Sequence, residues 1–288
     1  IEELAWGDLA LALAILSPSL LALPIADHGT AEQRARWLPA LTGERFVPGA
    51  LAALEPGYGA DPFAPGTRAR ADGDHWILDG HKCLVPWIDG GAAVLVTATT
   101  DEGPRAFLVP RDAPGLCATP ERNLGLAGLP TVELALEGVR VARDAALACD
   151  GGRSVRRILT RGRVGLAAAA VGVARAAYEI ARDYAKERQA FGAPIATKQA
   201  IAFRLADMAI EIDGVRLLTW EAAWALDQGR NAEREATLAL QQARRIALEV
   251  ADGAVQVLGG YGYIRDYLPE MHLRNARGFS CFEALTLV

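Results

Sequence analysis

Three long Ala-rich stretches, residues 154–187, 197–228 and 233–258, constrain this chain more than any other feature. Each far exceeds the ~11–12-residue helix typical of globular proteins. The clusters FGAPIATK, DQGRNAE and LGGYGYIRDYLP break or end them. Helices of this length joined by short connections pack as antiparallel neighbours in a bundle. Alanine at so many positions lets their axes approach closely, and one face is expected to meet another subunit.

Upstream the periodicity changes. Between 46 and 145 the chain offers short β-prone runs, FVPGALAAL, HWILDG, AAVLVTATT, AFLVP and TVELALEGVRV, separated by the turn clusters EPGYGAD, ADGDH and DEGPR. Strands without helices between them predict an antiparallel sheet or small barrel rather than a βαβ unit. No GxGxxG follows a strand, which disfavours a Rossmann cofactor site. Residues 1–43 read as helical, with TAEQRARWLPALTG the best marked: Thr30 and Gln33 suit a capping box, Ala35, Trp37, Leu38 and Leu41 an apolar face, and Gly43 a stop. ACDGGRS at 148–154 serves as a hinge. The fold class is therefore α+β, mostly α. A partial N-terminal helical portion (1–45) precedes a central antiparallel β domain (46–146) and a C-terminal four-helix-type bundle (152–288).

Composition narrows the function. A net charge of −5 and the absence of any basic tract exclude a nucleic-acid partner. Lysine occurs only at 82, 186 and 198. Cys83, Cys117, Cys149 and Cys281 lie far apart, with no zinc spacing and no disulfide density, so a reducing, cytoplasmic setting is expected. His28, His75, His81 and His272 are equally dispersed, and no metal site is expected. The apolar run LALALAILSPSLLALPIA is broken by Ser17, Pro18, Ser19 and Pro24, so it makes a poor membrane span.

Three features exceed what scaffolding needs. KERQAFGAPI sets Arg188 and Phe191 at a helix exit, either as a cation complementing the dipole and a packed aromatic or as part of a site. QVLGGYGYIRD pairs Gln256 with two glycines, a C-cap or a backbone that must approach something closely. SCFEALTLV holds a single carboxylate, Glu283, between apolar neighbours, as a base or a stray polar residue.

Taken with their surroundings, these features form a pattern. YAKERQAFGAPIATKQAIAFRLADMAIEIDGVRLLTWEAAWALDQG, followed by VADGAVQVLGGYGYIRDYLPEMHLRNA, closely resembles the C-terminal bundle of the flavin-dependent acyl-CoA dehydrogenases. HGTAEQRARWLPALTGE, GALAALEPGYGAD and LDGHKCLVP resemble the same family's middle sections in the same order. The resemblance implies FAD as cofactor and an acyl-CoA substrate whose α-proton is removed by a glutamate 23 residues after the second glycine of the GG pair. Counted from Gly260, that residue is Glu283. It further implies that the backbone N–H of Glu283 and a ribityl hydroxyl of the flavin steady the enolate oxygen, and that Phe282, with Cys281 and Phe279 nearby, walls the pocket. Arg188, Phe191, Gln199, Gln256 and Gly260 fall where the family reaches the adenine–diphosphate half of a neighbouring subunit's flavin.

The flavin-ring side departs from the family pattern. TEPxAGSD becomes LEPGYGAD, placing Leu54 and, on the substrate side, Ala60 where hydroxyls are usual. GxKxWIT becomes GHKCLVP, with Leu84 for tryptophan and Pro86, which has no N–H, for threonine. EGT becomes EAL, with Leu285 replacing a hydroxyl. Two readings follow from the resemblance. One is an FAD-dependent acyl-CoA dehydrogenase, a homodimer or dimer of dimers, passing electrons to an electron-transferring flavoprotein. The other is a non-catalytic, flavin-poor partner subunit in a heteromer with a related chain. The family also carries helices before and after the matched region, so the chain reads as a piece of a longer fold.

Overall fold

The computed structural model describes residues 1–283 and 285–288; Ala284, in the EAL stretch, lies outside the described residues. Four helices come first: α1 (Glu2–Gly7), α2 (Leu9–Leu16), α3 (Ser19–His28) and α4 (Ala31–Leu41). Strands follow as β1 (Leu51–Ala52), β2 (Arg68–Asp72), β3 (His75–Pro86), β4 (Ala93–Thr100), β5 (Gly103–Pro110), β6 (Leu116–Pro120) and β7 (Thr131–Ala142). The long helix α5 (Arg153–Glu187) leads to a small hairpin, β8 (Gln189–Ala190) and β9 (Ala193–Pro194). Helices α6 (Gln199–Asp227), α7 (Glu233–Leu258), α8 (Gly260–Tyr263) and α9 (Pro269–Phe279) complete the order. These elements form two compact units. The helical unit comprises Ile1–Ala12, Asn123–Ala127 and Leu166–Cys281; the β unit comprises Leu13–Arg122, Gly128–Gly165 and Phe282–Val288.

In the β unit, the described strands form one seven-stranded sheet in the order β1-β4-β2-β3-β7-β6, with β5 on β4. Its long pairings, β3 with β7, β4 with β5, β2 with β3 and β6 with β7, are antiparallel as expected. Short parallel pairings of β4 with β1 and with β2 make the sheet mixed. Strands β2 and β6 carry no apolar run; β2 buries only Ala69, so hydrophobic pattern could not announce it. The core gathers Trp76, Leu78, Val94, Val96, Phe107, Leu134 and Val139 on one cluster. Helix α4 carries the capping box of Thr30 and Gln33, and the Gln33 amide also donates to the carbonyls of Asp144 and Ala146. Ala35, read as part of the apolar face, is exposed instead, because Gln33, bonded to the Asp144 and Ala146 carbonyls, takes the buried side of the helix.

A buried ion pair sets the loop between β1 and β2. Lys82 on β3 is fully buried and donates to Glu55 at 2.8 Å. Glu55 also accepts from the Thr67 hydroxyl and amide at 2.6 and 2.8 Å and from the Gly66 amide at 2.7 Å. Burial alone would raise the Glu55 carboxyl, but Lys82 and Thr67 outweigh it and bring the pKa down to about 2. Burial draws the Lys82 ammonium down to about 8, with Glu55 opposing, so both groups are charged at neutral pH. Gly80 on β3 has φ 153°, and a Cβ there would lie 2.6 Å from the Thr67 hydroxyl, so only glycine lets that loop seat against the strand.

In the helical unit, α7 buries Ala236, Ala239, Leu240, Ala243, Ile246, Ala247, Val250 and Ala254, a three-to-four-residue repeat that forms one apolar face. Helix α1 lies on Gly172, where a Cβ would meet the Glu2 carbonyl at 2.3 Å, and Arg175 and Arg216 both bind the Glu2 carboxylate. The segment 123–127 is threaded into this unit. The Leu126 amide donates to Asn275 at 2.9 Å, and Gly125 touches the backbone of Arg274 and of Gly278 on α9. Helix α5 is long and apolar enough to cross a membrane, yet 72% of its most apolar window is buried within the fold, which marks it as a core helix.

Two outcomes follow. Gly125→Ala places a Cβ 2.0 Å from the Arg274 carbonyl and should lower the free energy of unfolding by about 1–3 kcal/mol in urea titration. Glu55→Gln strands the Lys82 charge and should cost about 3–5 kcal/mol. Because the folded Glu55 pKa lies below its ordinary 4.5, its stabilisation is complete above that pH and fades as pH falls toward 2. Acid titration of the unfolding midpoint should accordingly be shallower in Glu55→Gln than in the wild type across that window.

Candidate active site and cofactor cleft

Glu283 lies in the β unit, in the segment after α9. That segment crosses α5 closely: a Cβ on Gly165 would sit 2.9 Å from the Thr286 carbonyl, so glycine at 165 lets the two backbones meet. Phe282, Leu285, Thr286 and Leu287 are buried around it. The Glu283 side chain is only 10% exposed, and Arg163 of α5 grips it from Nε at 3.2 Å and from Nη2 at 3.4 Å. Beneath the guanidinium lies the Phe63 ring, 4.6 Å from Arg163 and 5.0 Å from Arg156, two arginines seven residues apart on the same helix face. Phe63 itself packs on the cluster that contains Val155, Leu159 and Leu287.

The expected surrounding of Glu283 was an apolar wall. Phe282 is buried, but the carboxylate is ion-paired rather than isolated, because a nearly buried anion is stable only beside a matching charge. A base works through an oxygen that can reach the proton. Among the contacts described, Arg163 Nε and Nη2 reach the two different carboxylate oxygens of Glu283. Sequence reading missed Arg163, Arg156 and Phe63. The available signal was Arg163 in GRVGLAAAAVG, one cation at the head of a run of small apolar residues.

The residues read as facing the flavin ring also belong to the β unit. Leu54 and Leu84 are half-buried, and the Cys83 amide donates to the Leu54 carbonyl at 3.1 Å, so the two stretches are joined. Leu84 has φ 55°, a left-handed conformation that costs a leucine about 1–2 kcal/mol. Both oxygens of Glu121 accept its amide at 3.1 Å and hold it there. The Trp87 amide donates to Pro130 at 2.9 Å, and Pro86 is buried with no amide to offer. Leu285 is 1% exposed. Ala60 stands exposed in the loop beyond Gly57 and Gly59, both of positive φ.

A second candidate site lies in the helical unit. A cleft of ≈ 490 Å³ is lined by Arg188, Gly259, Gly260, Tyr261, Tyr184 and their neighbours. Arg188 follows the last turn of α5, its amide bonded to the Tyr184 carbonyl at 2.8 Å, and its guanidinium lies 5.9 Å from the Tyr261 ring centre. Gly259 caps α7 with φ 59°, so glycine is required there. Gly260 has neither a positive φ nor any atom within 4 Å of the place its Cβ would take. The structure therefore brings Arg188 and Gly260 together. Gln256 is exposed on the last turn of α7, Gln199 is exposed at the start of α6, and Phe191, 98% exposed with φ 52°, stands at the β8–β9 turn; none of the three lines the cleft.

Comparison with known proteins gives the same order of parts. The acyl-CoA dehydrogenase N-terminal, middle and C-terminal domain families match residues 1–45, 50–139 and 150–283. The mitochondrial short-chain specific acyl-CoA dehydrogenase of Bos taurus is 38% identical, over 98% of this chain and 70% of that protein. A chain of a structure described as the electron transferring flavoprotein of Acidaminococcus fermentans superposes with a TM-score of 0.88 at 35% identity, covering 96% of this chain and 75% of that one. The glutaryl-CoA dehydrogenase of Mycobacterium smegmatis in complex with FADH2 superposes with a TM-score of 0.85 at 32% identity, covering 96% and 72%. Three domains matched in sequence, at that level of identity, make this chain a member of the acyl-CoA dehydrogenase family of FAD-dependent oxidoreductases.

Proposed function

We propose that this chain catalyses the α,β-dehydrogenation of an acyl-CoA thioester, with Glu283 taking the α-proton. The observation that carries the reading is the nearly buried Glu283 carboxylate, held by Arg163 beside the buried Phe282. The α-proton of a thioester is weakly acidic, so its removal needs a carboxylate fixed in place and shielded from water. One Glu283 oxygen turns from Arg163 and takes the proton. The electron pair of that C–H bond becomes the new carbon–carbon double bond as a hydride leaves the β-carbon. The Glu283 amide is assigned to the thioester oxygen that gains charge, a donor of a kind worth about 10²–10³ in rate. Bound FAD supplies the acceptor for the hydride.

Support for FAD differs between its two halves. Arg188 brings a positive charge to the helical cleft, and nothing in this chain demands glycine at 260, which suits a backbone meant to lie close to a phosphate. On the ring side Leu54, Leu84, Pro86 and Leu285 would offer apolar contact, while the amides of Cys83, Leu84 and Trp87 are already committed. That commitment favours a second reading, in which the chain completes the adenine half of the site for a related subunit and retains little flavin itself. Purified protein carrying about one flavin per chain would exclude the second reading. Protein that is colourless alone and gains flavin only on co-expression with a homologue would exclude the first.

Acyl-CoA and an electron-transferring flavoprotein are the partners this reading assigns. Assembly is assigned to α6, which exposes Phe203, Ile210, Leu217 and Trp224 at seven-residue steps, an apolar stripe suited to another copy. The four free thiols suit a reducing cytoplasm. Glu283→Gln should lower turnover of acyl-CoA by about 10²–10⁴-fold with flavin content unchanged. Undiminished dehydrogenation by that variant would remove Glu283 from the mechanism.

A further inference from the structure

We propose that Tyr261 is a positioning residue that holds the Arg188 guanidinium over the cleft as a preformed receptor for a diphosphate. This rests on the assignment of that cleft to the adenosine-diphosphate half of a flavin dinucleotide.

Arg188 is the charged residue among those lining the cleft, and among the described residues it has no carboxylate partner. Its neighbours on α5 are spent: Arg182 and Lys186 share Asp183, and Arg175 binds Glu2, Glu3 and Glu179. The backbone of Arg188 is fixed on both sides, its amide donating to Tyr184 and its carbonyl accepting from the Ile195 amide at 2.9 Å. What remains free is a long side chain, whose immobilisation a ligand would otherwise have to supply. Tyr261 removes part of that freedom by placing a π-face 5.9 Å from the guanidinium.

The tyrosine is itself held. Its ring meets Tyr184 edge-on at 6.3 Å and Tyr267 at 5.2 Å. Its backbone sits in the turn that Gly259 opens, closed by the Gly262 amide donating to the Gly259 carbonyl at 3.0 Å. Gly262 packs against Val255, where a Cβ would fall 2.5 Å from the carbonyl oxygen. The aromatic platform is thus rigid, the charge it carries is uncommitted, and Gly260 beside it leaves room for an anion.

The test titrates the whole chain with ADP by calorimetry and measures flavin retained on purification. Arg188→Ala should weaken ADP about ten- to a hundredfold. Tyr261→Leu should weaken it about two- to fivefold, and Tyr261→Phe should match the wild type, since the ring face and not the hydroxyl acts. Tyr261→Met is a second ring-free variant, and the half-exposed site tolerates either. Tyr261→Leu and Tyr261→Met binding ADP like the wild type, with Arg188→Ala weakened, would overturn the positioning role and leave the cleft assignment standing. Equal weakening in Tyr261→Phe and Tyr261→Leu would also overturn it. Unchanged ADP affinity in Arg188→Ala would overturn the cleft assignment itself.

Discussion

The buried Lys82–Glu55 pair governs the β unit. Lys82 has no exposure at all, so its charge is tolerable only with an anion in contact, and Glu55 reaches it only if the loop after β1 folds back over β3. The same carboxylate fixes Thr67 and Gly66 at the loop's other end, and Gly80 leaves the space for Thr67. Phe63 lies inside the loop closed in this way. Its ring faces Arg163, and Arg163 holds Glu283. A run of contacts thereby leads from a lysine on a strand to a carboxylate far away in sequence.

Much of this was legible in the sequence, for physical reasons that differ by element. The long helices were read within a few residues because small apolar residues repeat along them and Gly, Pro and Asn clusters stop them. The Thr30–Gln33 capping box was readable because both of its hydrogen bonds are local. β2 escaped because its residues alternate arginine with a single buried alanine, and the parallel contacts of β4 escaped because such pairings leave no local mark. Glu283 was singled out by register, whereas nothing in the sequence singled out the Arg163 and Phe63 that lie beside it. Their pairing is tertiary, and an arginine on a helix looks the same in sequence whether it faces solvent or a buried carboxylate.

The two candidate clusters differ in how far their polar groups are already matched. In the helical cleft Arg188 has no carboxylate partner among the described residues, and no steric reason makes residue 260 a glycine. Around Leu84 the opposite holds: a strained leucine is held by two carboxylate oxygens, and the neighbouring amides have partners. A side chain that needs such support in the left-handed region is being kept there for its shape. The surface it presents is apolar, and contact there depends on fit rather than on donated hydrogen bonds.

The compact units are interleaved along the chain, so neither is a continuous stretch: 123–127 leaves the β unit for the helices, and 282–288 returns to it after α9. Glu283 and Arg163 are consequently 120 positions apart in the sequence. Contacts this distant form late, after the entropy of closing a long loop has been met. Until that loop closes, the guanidinium on α5 has no hold on this carboxylate. The setting of Glu283 beside Arg163 is thereby tied to closure of the chain between them, and a chain short of its native state lacks that pairing.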